Sequence, residues 1–176
     1  MSKLAERLRG RHQHDKQREK TTQQFLTFHI ADEEYGVDIL RVQEIRGFEP
    51  VSALPNAPAF LLGVINLRGQ VLPIVDLRTR FGMAARAPDK TTVVIIVLVG
   101  VATASGAATV SVGIKVDAVS DVLDIELSGI APPPRLGAFV DVAFLNGIAT
   151  SAHGITKLVQ IDALIDAGLL PPAPAS

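Results

Sequence analysis

Between residues 25 and 165 the chain runs as short alternations of apolar and polar residues, the period-two pattern of strands that bury one face. Over residues 25–30, Leu26, Phe28 and Ile30 fall on one side and Thr27 and His29 on the other. After the polar turn Asp32-Glu33-Glu34, Tyr35, Val37 and Ile39 alternate against Gly36 and Asp38, which predicts a hairpin with one buried face. A turn at 40–42 leads to a further strand over 43–48. Pro50, Pro55 and Pro58 then break regular structure, and residues 59–62 are expected to form one helical turn.

Residues 64–67 and 71–75 are aliphatic, β-branched runs flanking Arg68-Gly69, where the glycine supplies the positive φ of a tight turn and Arg68 points outward. Pro73 cannot donate to a ladder, so this strand is expected to be an edge or to carry a bulge. Asp76 is placed to cap a short helix over 77–81, ended by Gly82. Residues 91–101 predict a strand buried on both faces, with 110–116 as its partner and 102–108 as a loose loop. Another strand is expected over 119–125, then a stiff Pro132–Pro134 connector, two strands around His153-Gly154, and a helix over 163–167 capped by Asp162.

The pattern repeats. Tyr35-Gly36-Val37-Asp38-Ile39 matches Val112-Gly113-Ile114-Lys115-Val116, and in register Val42, Glu44 and Ile45 match Val119, Asp121 and Val122. Ala59-Phe60-Leu61-Leu62-Gly63-Val64 resembles Ala143-Phe144-Leu145-Asn146-Gly147-Ile148, and Ile74-Val75-Asp76 resembles Gln160-Ile161-Asp162. Two units this small bury too little surface alone, so the expectation is an all-β fold of two small barrels packed side by side on a shared core.

Composition narrows the function. The chain is 48% hydrophobic and 20% charged, enough to bury a core, and its longest apolar run is well short of a bilayer span, so no direct membrane insertion is expected. With no cysteine there are no disulfides or thiolate sites, and a cytoplasmic address is expected. Residues 1–20 carry seven Lys/Arg against three acids, and are expected to form a basic, solvated, disordered leader. The remainder is net acidic, the wrong sign for neutralising phosphates. A nucleic-acid-binding double barrel is the competing reading, but it requires cationic tracks and aromatic platforms, and there are only seven Phe, one Tyr and no Trp.

Chemistry-bearing patterns are sparse. His12, His14, His29 and His153 have no ligand spacing, so no metal site is expected. Ser111 and Ser120 lack a nucleophile elbow. Asp117, Asp121 and Asp124 fit no calcium loop and read as the solvated outer face of a strand. Phosphate-cradling glycine motifs do not occur, so no nucleotide site is expected, and the patterns together leave no cofactor in the expectation and no group equipped for catalysis.

The stretch Glu33-Glu34-Tyr35-Gly36-Val37-Asp38-Ile39-Leu40-Arg41-Val42-Gln43-Glu44-Ile45-Arg46-Gly47 resembles the opening of CheW coupling proteins. Residues 57–69 and 71–78, Ala-Pro-Ala-Phe-Leu-Leu-Gly-Val-Ile-Asn-Leu-Arg-Gly and Val-Leu-Pro-Ile-Val-Asp-Leu-Arg, resemble that family's most distinctive block, and residues 116–123 its second. The resemblance covers residues 23–169 and implies one domain over 21–170, made of two five-stranded, Src-homology-like barrels with short capping helices, followed by a flexible Pro/Ala tail at 171–176. It further implies a non-enzymatic adaptor that bridges the cytoplasmic tips of methyl-accepting chemoreceptors to the regulatory domain of a chemotaxis histidine kinase. Such adaptors are recruited to membrane-associated arrays, with self or ring assembly as a further implication. On this resemblance the receptor contact is placed beside the hairpin Asn66-Leu67-Arg68-Gly69. Arg68 is its leading group, because an exposed guanidinium makes forked contacts with carboxylates. Val42, Glu44 and Ile45 match positions tied to partner binding, with a barrel-core role open for Val42 and Ile45. Gly63 and Gly69 serve backbone geometry first and partner approach second. Relative to the family pattern, the 102–108 loop looks longer and residues 149–154 less charged.

Overall fold

The alternating segments become eleven strands among the residues that the structure, a computed structural model, describes: 21–134, 142–151 and 154–165. The expected leader at 1–20, the tail at 171–176 and His12, His14 and His153 lie outside the described residues. In chain order the strands are β1 (Thr22–Ile30), β2 (Glu33–Asp38), β3 (Val42–Gly47), β4 (Leu61–Leu67), β5 (Gln70–Asp76), β6 (Val93–Thr103), β7 (Gly106–Val116), β8 (Ala118–Glu126), the two-residue β9 (Ile130–Ala131), β10 (Leu145–Ser151) and β11 (Gly154–Val159). One short helix, α1 (Leu77–Arg80), follows β5, with the Asp76 carboxylate accepting from the Arg78 amide as its cap.

The strands form two sheets, ordered β8-β1-β2-β11-β10-β9 and β3-β6-β7-β5-β4. The second sheet comes from one continuous stretch, residues 42–116, and the first from the chain on either side of it. The chain therefore passes between the sheets twice, through the 3-10 turn Ile39–Arg41 and through the single residue Asp117.

Each sheet curls around its own apolar interior, and both press a second face into a shared core. Phe25, Ile125, Ala149 and Leu158 fill the first barrel, and Leu72, Ile74, Val94 and Ile96 the second. Phe28, Tyr35, Val37, Ile95, Val97 and Ile114 belong to the larger cluster between them. The unbroken run from Val93 to Val99 follows from this: Val94 and Ile96 face the barrel interior while Ile95, Val97 and Val99 face the other sheet, so from Val94 to Val97 both sides of β6 are buried. The architecture is the all-β pair of small barrels that the pattern predicts.

The repeat is present but does not coincide with the barrels. Parallel pairing sets Leu158 of β11 beside Gly36 of β2 and Ile74 of β5 beside Gly113 of β7, so β2 corresponds to β7 and β11 to β5. A Cβ on Gly36 would lie 3.2 Å from the Leu158 side chain and one on Gly113 2.4 Å from that of Ile74, which explains why both positions carry glycine. Bulges recur at Leu61/Gly63 and Leu145/Gly147. Each barrel thus takes strands from both halves of the chain. The sequence match of Ile74-Val75-Asp76 to Gln160-Ile161-Asp162 slips by two residues: the registers pair Ile74 with Leu158 and Asp76 with Gln160, which occupies the cap position before the 3-10 turn Ile161–Ala163.

Other expectations change. Residues 166 and 167 of the expected last helix lie outside the described residues; among the described ones Gln160, not Asp162, holds the cap position, and the Asp162 carboxylate accepts from Arg41 and from the Gly100 amide. Residues 59–62 form a turn and the start of β4, because the Asp76 amide bonds the Phe60 carbonyl and draws the segment into the ladder. The 102–108 loop is a hairpin closed at Thr103 and Gly106, where the Thr103 hydroxyl donates to the Gly106 carbonyl and Gly106 takes φ of 120°. Pro73 lies in an interior strand, tolerated because β7 joins only from Ile74 onward, and the nearby bulge is in β4.

Candidate functional site: the mouth of the second barrel

β3 and β4 are the two outer strands of the second sheet, and its curl brings them together. At the meeting point the β4–β5 turn consists of Arg68 and Gly69, with φ of 53° and 85°. Positive φ at both central residues defines a type I′ turn, whose twist matches that of the strands. The glycine adopts it freely; the arginine does so at a cost of about 1 kcal/mol. The Asn66 side-chain oxygen accepts from the Gly69 amide at 2.9 Å and holds the turn closed.

The turn carries the Arg68 side chain out to 75% exposure, where Nη2 donates to Glu44 Oε2 at 2.6 Å. Arg46 lies 3.7 Å from the other Glu44 oxygen. Glu44 thus spans the gap between the sheet's edges. Beside it lies a cleft of about 330 Å³ lined by Gln43, Glu44, Leu67, Arg68, Gln70 and Ser111, with Ser111 Oγ donating to Gln43 Oε1 at 2.6 Å. A guanidinium held at one edge by a single carboxylate oxygen keeps its other donors for an outside acceptor.

The structure divides the sequence-predicted residues. Asn66, Arg68, Gly69 and Glu44 converge at the mouth. Val42, whose core role the sequence left open, is partly buried and packs on the inter-sheet core. Ile45 sits on the opposite face of β3 from Glu44 and is 45% exposed. Gly63 is buried: its φ is 151°, and a Cβ there would lie 2.1 Å from the Ser52 carbonyl oxygen, so it admits the Ser52 segment against β4.

Sequence reasoning missed the Arg68–Glu44 bond. Glu44 lies on one edge strand of the sheet and Arg68 in the turn that follows the opposite edge strand, so no local spacing reveals it, although opposite charges at two independently selected positions were a usable signal. It also read Asp117 as solvated. Asp117 is 17% exposed and takes a forked contact from Arg78, Nε at 2.8 Å and Nη2 at 2.7 Å, while accepting from the Ala31 amide at 2.8 Å. Burial pushes this carboxyl's pKa up, but the Arg78 hydrogen bonds, the Ala31 amide and the charges of Arg78 and Arg86 together hold it below the ordinary carboxylate value. Ser120 Oγ lies 2.6 Å from His29 Nδ1 on the exposed flank of β1 and β8. Among the described residues no carboxylate bonds the His29 ring to orient it as a base. Groups of three or more His, Cys, Asp or Glu able to hold a metal do not occur among the described residues, and no helix there is long and apolar enough to cross a membrane.

Comparison with known proteins gives concordant results. A family model described as CheW-like domain matches residues 24–168. The chemotaxis protein CheW of Klebsiella aerogenes is 40% identical over 147 residues, covering 84% of each chain. A probable chemotaxis protein CheW of Rhizobium etli is 39% identical over 141 residues, covering 80% of this chain and 86% of that one. The crystal structure of the scaffolding protein TtCheW from Thermoanaerobacter tengcongensis superposes with a TM-score of 0.72 at 32% identity, over 84% of this chain and 90% of the other.

Proposed function

The chain belongs to the CheW-like family, and on that premise we propose that it is a non-enzymatic coupling scaffold, joining methyl-accepting chemoreceptors to a chemotaxis histidine kinase. The observation that carries this reading is the Arg68 guanidinium, presented on a turn in a conformation unfavourable for arginine and tethered by Glu44. Backbone strain at an exposed position is retained where it orients a side chain for use. A receptor helix that offers carboxylate or amide oxygens beside the cleft would meet the free face of this guanidinium, with Asn66 and Gly69 fixing its approach and Ile45 extending the surface around the β3 edge.

The kinase contact is assigned to apolar side chains at the barrel ends. Val71 and Ile155 are both exposed, at the starts of the corresponding strands β5 and β11. Two matched apolar ends suit head-to-tail packing against the kinase's regulatory domain, itself a double barrel by the family resemblance, and against further copies in an array. The molecule works in the cytoplasm and reaches the membrane through its receptors.

The test is Arg68→Glu. Circular dichroism and the melting curve stay as in the parent protein while co-sedimentation with receptor-containing membranes falls. Undiminished binding by that variant would refute the assignment of the receptor surface.

A further inference from the structure

The two places where the chain passes between sheets are each pinned by a forked Arg–Asp pair. At the first, Arg41 donates through Nη1 and Nη2 to the two oxygens of Asp162, each at 3.0 Å. At the second, Asp117 receives Nε and Nη2 of Arg78. The strand registers make these one site occurring twice. Because β2 corresponds to β7, Arg41 falls within one residue of the equivalent of Asp117; because β5 corresponds to β11, Arg78 is the equivalent of Asp162. The acid in each fork also accepts a backbone amide, Gly100 for Asp162 and Ala31 for Asp117, both at 2.8 Å. Thr27 lies opposite Gly36 and Ile96 opposite Gly113, so those two amides are equivalent as well. The joints differ in the direction of charge: the crossing residue is the base in one and the acid in the other.

The consequence appears when the residues are sorted by half. Both arginines come from the half that holds β1–β5 and α1, and both aspartates from the half that holds β6–β11. In a duplicated chain, either half presents surfaces that fit a second copy of itself, because β1 and β2 would accept β3–β5 of another molecule much as they accept their own β8, β10 and β11. Such homotypic pairing would set Arg41 against Arg78 with an amide lacking its acceptor, or Asp117 against Asp162. We infer that the reversed charge direction of these two joints is a selection rule, which admits the N-terminal half only against the C-terminal half and rejects exchange of like halves between copies. Partner choice is set here by repulsion in the wrong assembly, not only by attraction in the right one.

A purely stabilising role and a selective one separate when a single joint is reversed. Arg41→Asp with Asp162→Arg keeps an ion pair at both joints, in the arrangement the second joint already uses, but gives each half one acid and one base, so homotypic pairing becomes attractive. Full-length protein is unfolded in urea and refolded at about 100 µM, where intermolecular pairing competes with intramolecular, and then examined by size-exclusion chromatography with light scattering. The reversed variant is expected to yield about tenfold more dimer and higher oligomer than the parent chain, and reversing both joints together should return it to monomer. If the singly reversed chain does not refold, Arg78→Asp with Asp117→Arg poses the same question. Monomer yields equal to the parent's from a singly reversed chain, or as much oligomer from the doubly reversed chain as from the single, would overturn the inference.

Discussion

Replacing Asp117 by Asn and Asp162 by Asn removes the negative charge from each joint while keeping shape and an oxygen able to accept from the neighbouring amide. The losses should be unequal. Asp117 and Arg78 are 17% and 16% exposed, so Asp117→Asn would leave a largely desolvated guanidinium without its forked partner and with only the charges of Asp76 and Asp32 nearby, whereas Asp162 and Arg41 are 37% and 38% exposed and water takes over much of the lost interaction. Breaking a fully buried pair costs about 3–5 kcal/mol and an exposed one about 0.2–1 kcal/mol. For Asp117→Asn the intermediate burial gives about 2 kcal/mol, or about 4–8 °C in Tm for a chain of this size, and for Asp162→Asn at most about 1 kcal/mol. Urea unfolding at pH 7 measures both. The pH dependence adds a second check: Asp117 has its folded-state pKa depressed, so its contribution is complete above the ordinary carboxylate pKa of about 4 and is lost as pH falls below that through the folded value. The stability gap between the parent protein and Asp117→Asn should therefore close in acid. Equal losses at the two joints, or a gap for Asp117→Asn undiminished at about pH 2, would refute this account of the forks.

Other outcomes follow from geometry already described. Gly63→Ala drives a methyl into the Ser52 carbonyl and should lower the urea midpoint by about 1 M or more, at a cost of about 3 kcal/mol. Gly113→Ala should cost about 1–3 kcal/mol and Gly36→Ala less than about 1 kcal/mol, since the added carbon comes within 2.4 Å of a side chain in one case and 3.2 Å in the other; a reversed order by chemical denaturation would contradict the packing. Arg68→Asn puts a residue suited to positive φ into the turn, so melting should hold or rise slightly while receptor co-sedimentation falls; a variant less stable than the parent by more than about 1 kcal/mol would show that the turn is not strained.

What was legible in the sequence was whatever has a short period or a local cause. Alternation located β1, β2 and β7, and an unbroken apolar run located β6; Arg68-Gly69 marked a turn; Asp76 marked a cap. What escaped depends on non-local pairing. Residues 59–62 carry a plausible helical pattern that the ladder overrides, and Asp162 looks like a cap until β6 and Arg41 claim its oxygens. The repeat was visible as matched motifs, but its slip at Ile74 needed the parallel registers beside Gly36 and Gly113. Of the candidate site, Arg68 and Glu44 were both singled out, yet their bond exists only because an open sheet curls until its two edges face each other across a gap that one carboxylate spans.

The nesting of one barrel inside the chain of the other also orders events during synthesis. The inner barrel has all its strands once Val116 has left the ribosome, so it is free to close while the remainder is still being made. The first hairpin, already translated, can lay Leu26, Phe28 and Ile30 against that barrel through the shared core, but it must hold Phe25 without β8, β10 or β11 to cover it until Val159 is made, roughly 6–24 s after Asp38 at about 5–20 residues per second. That interval, set by topology rather than by any single contact, is when the nascent chain offers its stickiest surface to chaperones and to neighbouring chains on the same message.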